Sequence, residues 1–556
     1  MTLPYPDLLF QTRAGITPPV LWGVPFCETF FGPCMKGWET SARKTIYALN
    51  QLAIQKETGR ERETESGTEI RTETRTVPLS ARKIRQILDV ALMPKMAEAG
   101  AFFVLAVARC LGALANKKVL TETEFFQWWE ELESVALDAA VLTVEKEPLA
   151  RILLAGELAE TLVYVALSFQ DTGEFSDFKP NTEKNAENRT EKNFKKNSEK
   201  KKTLRKPSVK RLEMLRKQAK MVLSESLNEL LDGAGCPRAE QLPIFRMFVA
   251  TWTRLRWLDN ALTKNVENLK NTEKTGKLKN VEKTVSGTLA ESIFDENSLS
   301  AYEWSVRMLM LFTRPDGALT FSRRGNKSAF WCPELFVAAL KMDSDREDKI
   351  LGVSILPDMK TPENPEKMSK LPSCVNYSPW GRVAVLQKNW ASRTGAVVTW
   401  NRKFPKIEVM SRKVPIFSGE WEFSGSWNGR KLESAGEWRS VMWHSVEQGD
   451  YLELELKLTE GFTLQRQVFL ARDENFLVLG EALSGDGFRG EKIQNGKLTW
   501  HSTLPISGGI KAREEEDALE ILISCRNGAA GMALPLALPE WRKQLGNGNN
   551  FGVREI

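Results

Sequence analysis

The apolar residues of this chain change their spacing once, near residue 374, and that change limits the folds open to it. Upstream they recur at three and four residues, the period of a helix face; downstream they alternate at two, the period of a strand. Residues 40–170 read as helical. Ile84–Val90 and Ala101–Ala115 carry the helical spacing, and Glu122–Val144 sets Phe125, Phe126, Trp128 and Trp129 against Leu132, Val135 and Leu137. Leu149–Phe169 is another long apolar helix, followed by clusters at Lys206–Leu231, Leu242–Leu262 and Leu299–Phe312. The turn Arg314-Pro315-Asp316-Gly317 ends the last of these, and residues 331–353 read as one more helix. This succession of antiparallel helices, with no strand signal, predicts an all-α layer.

Beyond Cys374 the runs are short. Arg382–Lys388, Gly395–Trp400 and Lys406–Ser411 are strand-like. In Tyr451–Leu458, Leu452, Leu454, Leu456 and Leu458 fall on one face, with Glu453, Glu455 and Lys457 on the other. Thr459-Glu460-Gly461 leads to Phe462–Leu470, where Gln465 and Gln467 point outward. Arg472-Asp473-Glu474-Asn475 leads to Phe476–Leu483. These three strands form a meander, and Ala518–Cys525 adds another strand. A large antiparallel region of this kind is most simply a β-sandwich. Nine of the 17 tryptophans lie in it.

At 556 residues the chain is too long for a single core. The periodicity divides it into a helical domain over 1–353, a linker over 354–373 and a β domain over 374–556. Low-complexity insertions interrupt the helical part near 56–76, 179–210 and 261–284. They are built of Glu, Arg, Thr, Lys and Asn, so they bury too little apolar area to offset their ordering entropy and are expected as surface loops. The net charge is +6, and removing the +8 of 179–210 and the +3 of 261–284 leaves −5 for the rest. The basic balance thus belongs to two insertions. Acids and Asn are interspersed there and a single aromatic, Phe194, accompanies the lysines, which argues against a nucleic-acid arm.

The seven cysteines are scattered. Only Cys27 and Cys34 are near neighbours, at a spacing foreign to zinc sites, so reduced and mostly buried thiols are expected. No carboxylate-rich loop has the spacing of a calcium site. Neither a metal nor a cofactor is expected. The N-terminus shows no secretory pattern, which makes a cytoplasmic location the default expectation. Ala101–Ala115, the most apolar stretch, carries Arg109 and is too short to span a bilayer, so no membrane partner is expected. Only two histidines occur, His444 and His501. The helical part must therefore do any chemistry without imidazole, the usual general base near neutral pH.

The run Asn376-Tyr377-Ser378-Pro379-Trp380-Gly381-Arg382-Val383-Ala384-Val385-Leu386 resembles the opening strand of the heparinase II/III-like β domain. The meander over 451–483, with Arg466 in mid-strand and the apolar run Phe476–Leu479, resembles that family's later strands. In the helical half, 230–256 and 302–318 are similar to proteins of the same family. The resemblance covers most of the chain outside the insertions, and its motifs are apolar patterns and turns. It implies an incomplete α/α toroid followed by an antiparallel β-sandwich, and β-elimination at a uronic acid of an acidic polysaccharide. That reaction needs a donor for the carboxylate, a base for the C5 proton and an acid for the leaving oxygen. The family typically uses Tyr and His, and its members are often exported. Here Gln387–Phe404, where many members carry a histidine, has none.

Candidate residues follow. Tyr302 reads as acid and base of a lyase, or as a packing residue at a helix start. His444 is the candidate base, or a hydrogen-bonded strand-end histidine. Arg323 and Arg324 have the planar fork that suits substrate carboxylates, or form a solvated basic loop. Tyr377, Trp421 and Trp427 are candidates for substrate binding, the tryptophans by stacking on sugar rings. Two functions are therefore expected in competition: a lyase on an acidic glycan, and a non-catalytic relative used for glycan binding or assembly.

Overall fold

The computed structural model describes residues 101, 104–105, 107–109, 111, 122–170, 207–274, 287–322, 333–342, 346–356, 371–485, 496–515, 520–526 and 528–536. The insertion near 56–76, most of that near 179–210, residues 275–284 of the third, Ile84–Val90, Cys27, Cys34, Arg323 and Arg324 lie outside these residues. Helices come first and antiparallel strands follow. The helices are α1 (Glu122–Asp138), α2 (Pro148–Arg151), a π-helical segment (Ile152–Leu158), α3 (Ala159–Gln170), α4 (Val209–Leu230), α5 (Phe245–Lys274), α6 (Gly287–Ala290), α7 (Glu296–Leu311), α8 (Pro333–Met342) and α9 (Arg346–Ile355). Residues 331–353, expected as one helix, thus contain α8 and the start of α9. Helix α5 also runs on through residues 263–274, expected as loop. Its Lys, Glu and Leu are good helix formers, and extending an existing helix costs far less than nucleating one.

Two compact units form: 1–229 with 247–300 and 337–342, and 230–246 with 301–336 and 343–556. The division does not follow the change of hydrophobic period. Helical residues 301–311 and 346–355 group with the strands.

In the first unit, Phe125, Trp129, Leu162, Val222, Phe248, Trp252 and Leu255 are buried. The indole of Trp129 donates to the Leu162 carbonyl at 3.2 Å and that of Trp252 to Ser226 Oγ at 3.2 Å. The π-helical turn frees the Ala155 carbonyl, which accepts from Gln218 Nε2 at 3.1 Å. Around this turn lies a buried ionic cluster. Glu157 pairs with Arg109 and with Arg254, the latter through both oxygens at 2.8 and 2.9 Å. Glu160 pairs with Arg216, which also donates to Asp259 at 3.0 Å. Burial, reinforced by the nearby Asp259 charge, outweighs Arg216 and raises the Glu160 carboxyl to about 7.

The second unit holds four antiparallel sheets. The first runs β1 (Asn376–Ser378), β2 (Val383–Gln387), β3 (Gly395–Thr399), β4 (Lys406–Ser411), β5 (Val414–Glu420) in order. The second has the order β11-β10-β9-β8, from Leu477–Gly485, Phe462–Ala471, Gly449–Lys457 and Arg439–Ser445. The third sets β6 (Glu422–Trp427) between β12 (Leu498–Thr503) and β7 (Arg430–Lys431). The fourth joins β13 (Lys511–Glu514), β14 (Ile521–Cys525) and β15 (Gly528–Ala533). The expected meander is present, with Gln467 opposite Glu453 and Val468 opposite Leu452. One apolar core gathers Leu386 and Val398 of the first sheet, Leu452, Leu464 and Val468 of the second, and Ile521 and Ile523 of the fourth.

Strands β2 and β3 are buried on both faces. The face away from that core carries Val385, Val397 and Glu408 in register. There Arg314, just past α7, meets Glu408 at 2.8 and 2.5 Å, and Arg393 donates to the carbonyls of Met310 and Thr313. Residues 301–322, the end of α7 and the turns after it, are thus latched to the sheet by arginines rather than by apolar contact alone.

Candidate functional site

Four of the candidate side chains, Tyr302, Tyr377, Trp421 and Trp427, are buried or half-buried. Tyr302 is 0% exposed. A side chain without exposed surface cannot meet a polymer, so its place suits packing better than acid–base work. Trp421 is also buried. Its indole donates to Ser502 Oγ at 2.9 Å, and the Arg466 guanidinium lies 4.4 Å from its ring. It anchors the core and is closed to sugar stacking. Trp427 is half-buried and meets Phe462 edge to face at 5.5 Å. Tyr377 faces the core from edge strand β1, stacked on Trp443 at 4.9 Å, with its hydroxyl donated to Ser440 Oγ at 2.9 Å. Arg323 and Arg324 lie outside the described residues.

His444 differs. It is exposed on β8, the edge strand of the four-stranded sheet, and stands in register opposite Tyr451 of β9. Directly opposed residues of an antiparallel pair share a face, with β-carbons roughly 5 Å apart. Alternation places Leu452, Leu454 and Leu456 inward, so His444 and Tyr451 point outward together with Glu453. The row continues to Phe469 of β10. The Tyr451 hydroxyl donates to Glu453 Oε2 at 2.6 Å; partial burial and this carboxylate hold the phenol up at about 12. It therefore stays protonated at neutral pH, as a weaker acid than a free tyrosine.

The cations nearest this row in the strand register are engaged. Arg439 forms hydrogen bonds to Glu455 at 3.2 and 2.5 Å, and Arg472 binds Asp450 at 2.5 and 3.3 Å. Among the described residues no group of three or more His, Cys, Asp or Glu could hold a metal, and no helix is long and apolar enough to cross a membrane. Sequence reasoning missed Tyr451 and Glu453, although strict alternation already set them on the face opposite the leucines. Register is what joins them to His444, and register is not legible in one strand.

No protein-family model matches the chain, and no curated protein does. Solved structures with a similar chain path include a heparan sulfate lyase HepC mutant from Pedobacter heparinus, at TM-score 0.46 and 10% identity, over 88% of this chain and 68% of that one. A heparinase III structure matches at TM-score 0.44 and 13% identity, over 89% and 68%. The unmutated HepC structure matches at 0.40 and 10%, over 92% and 82%.

Proposed function

We propose that this chain is a heparinase II/III-like polysaccharide lyase that cleaves an acidic, uronic-acid-containing glycan by β-elimination. The observation that carries the chemistry is the opposed, outward-facing pair His444 and Tyr451. In this reading the His444 imidazole takes the C5 proton, and the electron pair passes into the uronate carboxyl as an enolate. Collapse of that enolate forms the C4–C5 double bond and expels the C4 oxygen, which takes a proton from Tyr451 Oη. A cation must stabilise the enolate, and Arg323 and Arg324 are assigned that task. The sequence resemblance over 376–386 and 451–483 and the order of helices before antiparallel strands support the family reading.

The test is to incubate the whole chain with a panel of uronic-acid polysaccharides and follow ultraviolet absorbance of the unsaturated product. His444→Ala and Tyr451→Phe are expected to lower the rate by about 10²–10⁴, the usual range for a general acid or base. Absorbance that never rises on any glycan the protein binds would sink the lyase reading. The burial of Tyr302 and Trp421 favours a second reading, in which the chain binds acidic glycan without cleaving it. Binding with no turnover is its expected result.

A further inference from the structure

Exposing an indole forfeits a large amount of apolar burial, and most tryptophans of this chain avoid it. Among the described residues only Trp304 and Trp380 are strongly exposed, at 40% and 42%. Trp129, Trp252, Trp390, Trp421, Trp438 and Trp500 each donate the indole N–H to a carbonyl, hydroxyl or carboxylate. Neither Trp304 nor Trp380 has such a partner among the described residues. Each instead lies under a guanidinium, Arg307 at 4.6 Å from the Trp304 ring and Arg238 at 4.6 Å from the Trp380 ring.

One short loop, residues 232–240, meets the backbone of Trp304 and the ring of Trp380. Asp232 shapes it by accepting from the backbone N–H groups of Ala234 and Cys236, each at 2.9 Å. Gly235, at φ +73°, lies so close to Trp304 that an added β-carbon would stand 2.5 Å from its carbonyl carbon. Three residues on, Arg238 covers Trp380, and Ala239 N donates to the Gly381 carbonyl at 2.8 Å. Three peptide units reach at most about 11 Å, so the loop meets the Trp304 backbone and the Trp380 ring within that span of chain. The two cations differ. Arg307 is committed to Asp348 at 2.7 Å, whereas Arg238 forms no ion pair among the described residues.

We infer that the 232–240 loop with Trp304, Trp380 and Arg238 forms a binding platform for an acidic oligosaccharide. An exposed indole offers a π-face for the C–H groups of a pyranose and a free N–H for a ring hydroxyl, and the open fork of Arg238 fits a sugar carboxylate. The platform rests on the acidic-glycan half of the function proposed above, not on its lyase half, and uses neither His444 nor Tyr451.

The experiment titrates the whole chain with a tetrasaccharide of alternating glucuronate and N-acetylglucosamine, its sulfated form and neutral cellotetraose, by calorimetry and tryptophan fluorescence. Trp380→Ala is expected to weaken binding of the acidic probes by about tenfold or more, the scale of one aromatic or charged contact. Arg238→Met is expected to weaken the acidic probes alike and to leave any binding of cellotetraose unchanged. Thermal midpoints equal to wild type check that both surface variants fold. The inference is overturned if wild type binds neither acidic probe, or if both variants bind them within twofold of wild type. Platform binding that persists while no glycan is cleaved would remove the lyase reading and leave this one standing.

Discussion

Replacing Arg466 by methionine tests whether the β region is held by an ion in its core. Arg466 is 0% exposed in mid-strand of β10, on the face that carries Leu464 and Val468. Its guanidinium lies 4.4 Å from the Trp421 ring, 5.6 Å from Phe423 and 5.2 Å from Trp438. It donates to Glu481 Oε1 at 2.7 Å, to the Trp421 carbonyl and to the Glu422 carbonyl at 3.3 Å. Those two carbonyls sit where β5 hands over to β6, so one side chain ties the second sheet to the join between the first and third. Burial lowers its pKa to about 10 against the pull of Glu481, so it remains charged at neutral pH but its surroundings disfavour the ion. The strength of the device thus lies less in the ion than in the partners left behind when it goes. Methionine keeps most of the volume, takes the guanidinium donors away from two carbonyls and leaves the Glu481 carboxylate held by the Trp500 indole, a loss of about 3–5 kcal/mol. Adding Glu481→Met removes the stranded charge but also the acceptor of the Trp500 indole, at 3.0 Å. The double variant should lose less than the single one by about 1–2 kcal/mol. Two units need not unfold together, so the assay is hydrogen exchange at the amides of β9 and β10, which reads this unit alone. A loss below about 1 kcal/mol in Arg466→Met, or a double variant worse than the single, would refute the reasoning.

Three further outcomes are expected. Glu160, ordinarily near 4.5 and raised to about 7 when folded, binds a proton more tightly in the native state. Its contribution to stability is therefore full below pH 4.5 and is lost as pH rises through 7, and Glu160→Gln should flatten that slope in a thermal-unfolding series over this window. Arg314→Met leaves Glu408 buried with only Phe321 N and Ser418 Oγ as donors, at 2.8 Å each, and should cost about 3–5 kcal/mol, read by exchange in β4. Gly235→Ala forces a β-carbon against the Trp304 backbone at φ +73° and should destabilise by more than the roughly 1–2 kcal/mol of the left-handed conformation alone, measured by thermal unfolding.

Single side chains show how far the sequence carries. The alternation Leu452, Leu454, Leu456 predicts both the strand and its inward face, because period two admits only one such face. Helix α3, the meander and the turn after α7 are legible for the same local reason. Arg466 is different. Its alternation places it inward, yet a charged residue there is intelligible only once Trp421, Phe423, Trp438 and Glu481 converge on it from other strands. As letters, Trp421 in its Gly/Ser-rich surroundings is the better candidate for an exposed sugar platform than Trp380; the fold buries the first and exposes the second. Tyr451 became a candidate only through its register with His444.

By itself, then, the sequence determined the order of helices before strands, the faces of those strands, and the confinement of excess positive charge to insertions. Each of these depends on spacing or composition along the chain. Tertiary structure decided that residues 301–322 pack with the strands through Arg314 and Arg393, which aromatics remain open to solvent, and which polar groups share a surface. Those outcomes depend on residues distant in the chain meeting in space, and local periodicity carries no record of that.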